Sequence, residues 1–195
     1  MNYPNNTMPT PDFEEEAGIT EEEELIWAID PNVKTIGWTV MTFSGKLREV
    51  MCLECDCEDV FKLYNFFYEK CLLETPAVVI IEQQRGRKMS LIEGKILGII
   101  AALCTPTFIY LHPRSYKSYF KLETGDRKKN KEKSVLEWIK DVDQMADKKF
   151  AFYLGNTSKK RLHDLTDSYF MAKWYYYRHL LRMEKYQPET PSGSS

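Results

Sequence analysis

Apolar and polar residues follow one another in blocks that predict buried strands separated by amphipathic helices. Residues 25–29 and 77–81 are apolar throughout, which is typical of a strand that is covered on both faces. Each of these runs stops at an acid, Asp30 in the first case and Glu82 in the second. A carboxylate at the end of a buried strand is costly to desolvate unless a cation compensates its charge. The pattern therefore predicts two central strands that both end on an acid in need of a partner.

The remaining periodicity predicts a hairpin, four helices and one more strand. The segments are a hairpin formed by 37–43 and 47–55, helices over 58–73, 88–103, 131–145 and 165–183, and a short strand over 108–111. Three strands followed by alternating helices and strands favour an α/β fold with a mixed sheet and helices on its faces.

The charge is unevenly distributed along the 195 residues. Residues 1–24 contain eight acids and no Lys or Arg, which predicts an acidic disordered tail, and residues 187–195 predict a flexible C-terminal tail. Outside the acidic tail, 27 basic residues face 21 acids, although the whole chain has a net charge of −2. The domain expected over 25–186 is therefore basic, as suits a polyanionic partner.

The sequence also restricts the compartment and the cysteine chemistry. It contains no signal-peptide pattern and no apolar run of about 20 residues, so we expect a soluble intracellular protein without membrane contact. Five cysteines, an odd number, favour reduced thiols. The spacing of Cys52, Cys55 and Cys57 invites a zinc interpretation, but no second cysteine or histidine pair supplies the remaining ligands.

Two further acids, Asp164 and Asp167, lie three residues apart near the start of the last predicted helix. That spacing places both on one helix face, where the helix dipole favours anions. Each acid alone has an ordinary explanation, since strand-end acids occur in turns and an Asp commonly caps a helix. Together with Asp30 and Glu82, however, they would form an oxygen-rich site suited to a hard divalent cation such as Mg²⁺.

Basic residues flank the acids in three clusters. The clusters are Arg85, Arg87 and Lys88; Arg127, Lys128, Lys129 and Lys131; and Lys159, Lys160 and Arg161. Any one of them could be a solvated surface, but three around one acidic site predict contacts to phosphates. His163 is either a proton shuttle or a surface histidine. Four nearby aromatic residues could stack on bases, although core packing is the simpler interpretation: Tyr110, Tyr116, Tyr119 and Phe120.

These motifs, in this order, resemble those of RuvC-type Holliday junction resolvases of the RNase H-like superfamily, and most closely those of poxviruses and other large DNA viruses. The resemblance covers residues 26–177. Its four segments are 26–30 with Gly37, 80–84 with Arg85 and Arg87, the basic stretch 126–138, and the closing motif 160–170 with its D-x-x-D acids. Two departures are Gln84-Arg85-Gly86 where some relatives have an aromatic wedge, and His163 where the viral pattern often has Asp.

The resemblance implies an RNase H-like fold, a mixed five-stranded sheet with helices on both faces, and a homodimer. It implies cleavage of four-way DNA junctions in viral recombination or replication, with Mg²⁺ as cofactor and Mn²⁺ as a substitute, and a location in the host cytoplasm, the nucleus or the virion. Catalytic and metal-binding roles fall on four acids, and assisting roles on two lysines. These residues are Asp30, Glu82, Asp164 and Asp167, with Lys133 and Lys117.

Two alternatives to a junction resolvase stay open at this point. The protein could be another RNase H-like nuclease, acting on RNA–DNA hybrids or flaps, or a junction-binding protein without activity. Four intact acids argue against the inactive protein. The helix over 88–103 is the expected dimer contact because Gly94 and Gly98 suggest a close approach of another helix, either within the fold or across a subunit interface.

Overall fold

The computed structural model describes residues 23–144 and 161–180. Residues 1–22 of the predicted acidic tail and the whole predicted C-terminal tail lie outside the described residues, as do Lys159 and Lys160. The ends of two predicted helices, beyond residues 144 and 180, also lie outside them.

Five strands form one mixed sheet, as the sequence predicts. The strands are β1 (Leu25–Pro31), β2 (Thr35–Thr42), β3 (Leu47–Glu54), β4 (Val78–Glu82) and β5 (Thr107–Leu111). Their spatial order is β3-β2-β1-β4-β5. The first three strands form an antiparallel meander, whereas β4 lies parallel to β1 and β5 parallel to β4.

Helices cover both faces of this sheet. They are α1 (Val60–Leu73), α2 (Arg87–Leu103), α3 (Pro113–Tyr119), α4 (Arg127–Gln144) and α5 (Leu162–Tyr175), and a π-helical segment, Tyr176–Leu180, follows α5. The helix α3 is absent from the sequence prediction, since seven residues are too few to show a clear periodicity. None of the described helices is both long and apolar enough to cross a membrane.

Two hydrophobic cores lie on opposite sides of the sheet because successive strand residues point to opposite faces. Trp27 and Ile29 of β1 belong to the core under α1 and α2. Ile26 and Ala28 belong to the second core, together with residues of α3, α4 and α5. Every residue of α5 from 164 to 172 is buried, since this helix lies against β1 and β2 on one side and against α4 on the other.

The close approach of α5 to the sheet depends on a glycine in β2. A Cβ atom added at Gly37 would lie 2.0 Å from the main-chain oxygen of Asp164 and 3.2 Å from the Cβ of Asp30. No side chain fits at those distances, so the first turn of α5 can contact the strand only where the residue is glycine. Gly37 therefore determines how near the α5 acids come to Asp30.

Gly94 and Gly98 lie on the exposed surface of α2. Within the part of the chain that the structure describes, a Cβ at either position would meet no atom within 4 Å. The described residues thus include no helix that these glycines approach, and the contact across a subunit interface stays a prediction.

The start of α5 differs from the prediction. Arg161 is the N-cap residue, so Asp164 lies within the first turn of the helix and is not its cap. The capping interpretation of Asp164 is therefore wrong, and its side chain is available for other contacts.

The cysteines are free thiols, and the sulfur atoms of Cys71 and Cys104 lie 3.7 Å apart.

Candidate active site

The pairing of β1 with β4 brings the two strand-end acids together. Ile29 pairs with Ile81 in the parallel register, and the next residues are Asp30 and Glu82. Asp30 follows Ala28 at an interval of two residues, so its side chain points to the face of the sheet that α5 covers. The juxtaposition predicted from the two apolar runs is thus present at one edge of the sheet.

A third acid reaches the same point from α5. One carboxylate oxygen each of Asp30, Glu82 and Asp167 lie within 4.8 Å of one another, and we call these three residues the acid cluster. Asp30 and Asp167 are each only 8% exposed. An oxygen-only donor set at this spacing suits a hard divalent cation such as Mg²⁺ or Mn²⁺.

The electrostatics of the acid cluster also fit a cation. Burial, followed by the neighbouring charges of Glu82 and Asp167, raises the pKa of Asp30 well above its usual range. Burial likewise raises the pKa of Glu82 and of Asp167, although Lys117 opposes the shift in both cases. Three carboxylates that disfavour one another's charge, of which Glu82 is half-buried and the other two are buried, would be stabilised by a bound divalent ion.

Asp164 lies one turn before Asp167 and has different partners. Its Oδ2 accepts a hydrogen bond of 2.8 Å from the Thr35 hydroxyl, and its Oδ1 lies 2.9 Å from Nε2 of His163. Burial opposes the charge of Asp164, but the bonds and charges of His163, Thr35 and Arg161 outweigh it and lower the pKa. Asp164 is therefore held as a carboxylate beside the acid cluster by the chain itself.

The short helix α3 contributes two side chains to the acid cluster. Lys117 Nζ lies 3.0 Å from Asp167 Oδ2. Although burial opposes its charge, Asp167 and Glu82 raise the pKa of Lys117, so it stays a cation. The hydroxyl of Tyr116, which is fully buried, donates a 2.7 Å hydrogen bond to Glu82 Oε2. Sequence reasoning did not give Tyr116 this role because the helix that presents it was not predicted.

The second predicted lysine, Lys133, lies elsewhere. Its Nζ donates a 2.5 Å hydrogen bond to the main-chain oxygen of Lys121. On the same helix, Lys131 Nζ lies 2.7 Å from Nε2 of His163, which in turn contacts Asp164. His163 is thus part of the site and not an isolated surface residue. No sequence signal separates Lys131 from Lys133, since both belong to one basic run.

A cavity of about 540 Å³ opens over the acid cluster. Its wall combines the acids with cations and amides. The residues named above that line it are Asp30, Glu82, Asp164, Asp167, Lys117, Lys131 and His163, and Gln83, Gln84 and Arg85 also line it.

The other predicted DNA-binding residues either do not line this cavity or lie outside the described residues. Lys128 and Lys129 are exposed in the first turn of α4, which Arg127 begins. Arg87 and Lys88 begin α2, and Lys88 Nζ forms a 2.9 Å ion pair with Glu58. Arg161 caps α5, whereas Lys159 and Lys160 lie outside the described residues.

The four aromatic residues near the basic clusters divide into two pairs. Tyr116 and Phe120 pack with the core beneath α5, as the simpler interpretation predicts. Tyr110 and Tyr119 are exposed, with 59% and 45% of their surface accessible.

Comparison of the sequence with protein-family models and with curated proteins finds no match. Solved structures do match. The yeast mitochondrial Holliday junction resolvase Ydc2 is 14% identical, with a TM-score of 0.59 over 84% of this chain and 82% of that protein. The fowlpox virus resolvase in complex with Holliday junction DNA is 18% identical, with a TM-score of 0.60 over 78% of this chain and 97% of that protein.

RuvC of Thermus thermophilus, also in complex with a Holliday junction, is 13% identical, with a TM-score of 0.52 over 82% of this chain and 96% of that protein. At such identities, similarity shows a shared fold. The α/β fold of RNase H-like type, with a mixed five-stranded sheet, is thereby confirmed.

Proposed function

We propose that this protein is a structure-selective DNA endonuclease that resolves four-way junctions by metal-dependent hydrolysis, cutting opposed strands in symmetric pairs. The observation that carries the proposal is the acid cluster, three carboxylates within 4.8 Å of one another beside Lys117, at the sheet edge of a fold shared with Holliday junction resolvases.

Asp30, Glu82 and Asp167 would hold Mg²⁺, or Mn²⁺ in its place, with Asp164 as the fourth acid. When bound, such an ion supplies Lewis-acid polarisation of the phosphate and a bound water of lowered pKa. The protein contributes the placement of the ligands. Tyr116 orients Glu82 through its 2.7 Å hydrogen bond, and Gly37 lets α5 bring Asp167 and Asp164 against the sheet.

Lys117 is the residue proposed to stabilise charge that develops on the scissile phosphate. It is a cation 3.0 Å from Asp167, and it lines the same cavity as the acid cluster. A fixed positive charge in a partly buried site stabilises a transition state more than a mobile surface lysine does. Lys133, whose Nζ is directed to a main-chain oxygen, is the weaker candidate for this role.

The DNA would approach across the α4 side of the cavity. Lys128 and Lys129 are exposed there, and Lys131 and Arg85 line the cavity itself. Such residues bind phosphates without regard to sequence, as recognition of a branched shape requires. We propose that six further basic residues extend this contact: Arg87, Lys88, Arg127, Lys159, Lys160 and Arg161.

A homodimer would place two such sites on one junction. We assign the contact to the exposed face of α2, where Gly94 and Gly98 leave room for a second helix. A two-fold axis makes the two sites equivalent, and a four-way junction has strands of matching symmetry to present to them.

The test is a cleavage assay on a synthetic four-way junction, with linear duplex, flap and RNA–DNA hybrid of the same sequence as controls. With Mg²⁺, we expect paired nicks at symmetric positions in opposed strands, no cleavage in EDTA, and no cleavage by the variant Asp30→Asn, which should still bind the junction.

Preferential cleavage of the hybrid or the flap would reassign the protein to another RNase H-like nuclease. Junction binding without cleavage under Mg²⁺ or Mn²⁺ would make it a non-catalytic junction-binding protein. Full cleavage by Asp30→Asn would remove the acid cluster from the mechanism.

A further inference from the structure

Glu93 is a buried acid that the proposed chemistry does not use. It lies in α2 beside the core residue Ile92 and is 8% exposed, although it is not one of the acid cluster. Burying a carboxylate is unfavourable unless hydrogen bonds compensate for the lost water. Its Oε2 accepts a 2.9 Å hydrogen bond from the main-chain N–H of Gln84. The position of Glu93 is therefore tied to the chain segment that contains Gln84.

That segment, residues 83–86, is the loop that joins the active-site strand β4 to α2. It starts directly after Glu82, and Gly86 with a φ of +88° caps α2 at its other end. The main-chain N–H of Gln83 donates a 2.9 Å hydrogen bond to the main-chain oxygen of Leu111 at the end of β5. The next N–H, that of Gln84, is bound by Glu93. Two consecutive hydrogen bonds to different elements thus hold the loop.

The 83–86 loop lines the cavity and contacts the start of α3 on another side of it. Gln83, Gln84 and Arg85 line the cavity over the acid cluster. Arg85 Nη2 lies 3.1 Å from Nε2 of His112, and Nδ1 of His112 accepts the N–H of Arg114 at the start of α3. Because α3 carries Lys117, the loop connects the two elements that bring Glu82 and Lys117 to the site.

We propose that Glu93 is a positioning residue of the active site, and that its hydrogen bond to Gln84 fixes the 83–86 loop so that Glu82 and Arg85 are held at the cavity. This inference rests on the proposed nuclease function for its effect on cleavage, but the effect on the loop is independent of that function. A side-chain oxygen of Glu93 accepts the Gln84 N–H, and a glutamine would retain an acceptor at the same place.

Three variants distinguish the effect of losing the hydrogen bond from an effect on folding. Glu93→Met removes the acceptor and keeps a side chain of similar length that packs well in a core. Glu93→Gln retains an acceptor oxygen, and Glu69→Ala removes an acid from the exposed face of α1 as a matched control. All three are expected to fold, because none opens a cavity or buries a new charge.

The first readout is amide hydrogen exchange of the metal-free protein. The loss of one hydrogen bond corresponds to about a tenfold change in local opening, so the Gln84 amide should exchange about tenfold faster in Glu93→Met. Exchange in Glu93→Gln should stay within about threefold of wild type, and Glu69→Ala should match wild type. Unchanged exchange in Glu93→Met would overturn the proposal, as would equal acceleration in Glu93→Gln.

The second readout is steady-state cleavage of the junction. Misplacement of Glu82 should lower kcat by about tenfold in Glu93→Met and change KM by less than about threefold, with recovery in Glu93→Gln. If wild type cleaves and Glu93→Met cleaves equally well, the positioning role is wrong. If wild type does not cleave, the proposed function is wrong, and the exchange data still decide whether Glu93 orders the loop.

Discussion

Asp30 is an acid whose negative charge is strongly disfavoured by its surroundings in the site. It is buried, and three neighbouring carboxylates disfavour its charge, so its pKa lies well above the usual range. A buried charge of this kind lowers the stability of the metal-free fold, and it also creates the affinity for a cation. Stability and metal binding therefore respond to Asp30 in opposite directions.

We predict that Asp30→Asn raises the melting temperature of the metal-free protein and abolishes its response to Mg²⁺. Removal of about 1 kcal/mol of repulsion corresponds to roughly 2 to 4 °C for a domain of this size. Wild type should gain stability as Mg²⁺ is added, since the ion binds only the folded state. Thermal unfolding in EDTA and in a Mg²⁺ series measures both effects, with Glu69→Gln as the control for loss of an exposed acid. A variant that melts lower and still responds to Mg²⁺ would contradict the assignment.

Lys117 and Lys133 can be separated by replacing each with methionine, which keeps the aliphatic part of the side chain. Lys117→Met should lower the rate constant of the cleavage step by about 100- to 1000-fold, the usual effect of removing a group that stabilises transition-state charge. Lys133→Met should stay within about threefold of wild type, because the Lys133 ammonium contacts only a main-chain oxygen among the described residues. Single-turnover cleavage at saturating Mg²⁺ measures both. The reverse order of effects would move the assisting role to Lys133.

At the scale of the elements, the contact between β2 and α5 sets the spacing of the acids. Gly37 is the point of closest approach, since an added Cβ would fall 2.0 Å from the main-chain oxygen of Asp164. The two elements are far apart in sequence, and the distance between them is controlled by a single missing side chain.

We therefore predict that Gly37→Ala destabilises the fold by about 1 to 3 kcal/mol through overpacking. It should also lower junction cleavage by about 100-fold, because an acid displaced by about 1 Å is out of catalytic position. Gly94→Ala is the matched control for the unfolding measurement. It adds the same methyl group where no described atom lies within 4 Å, and should stabilise the helix by about 0.5 to 1 kcal/mol. Denaturant unfolding and the junction assay together test this, and wild-type cleavage by Gly37→Ala would show that α5 can shift without harm.

Sequence patterns identify the helices and strands that are long enough to show a clear pattern of apolar and polar residues. The apolar runs before Asp30 and Glu82 predicted β1 and β4, and their parallel pairing brings the two acids together. The same patterns missed α3, which has seven residues, and with it the contact of Tyr116 with Glu82. They also misplaced the start of α5 by three residues, because a helix buried on all sides shows no amphipathic boundary. Contacts between distant segments, such as Thr35 with Asp164, leave no local signal.

At the scale of the whole molecule, the proposed function has one site cut one strand, so that paired cleavage would require two sites in a fixed relation. The face of α2 that carries Gly94 and Gly98 lies on the side of the sheet opposite α5, so a partner bound there would leave the acid cluster open to DNA. Small residues let two helix backbones approach closely, and a large side chain at the same place prevents it.

We predict that Gly98→Leu converts a dimer into a monomer, whereas Gly98→Ala keeps the dimer because a methyl group still permits a close helix contact. Sedimentation velocity across a concentration series measures the change.

The monomer should retain its acid cluster and nick the junction once. Paired cuts in opposed strands should therefore become single, uncorrelated nicks. A supercoiled cruciform substrate distinguishes the two, since single nicks give nicked circles and paired cuts give linear product. A Gly98→Leu variant that stays dimeric would place the interface elsewhere on the molecule. A monomeric variant that still produced linear product from the cruciform would instead separate paired cleavage from dimerisation, and the symmetric mechanism would then fail even if the α2 contact were correct.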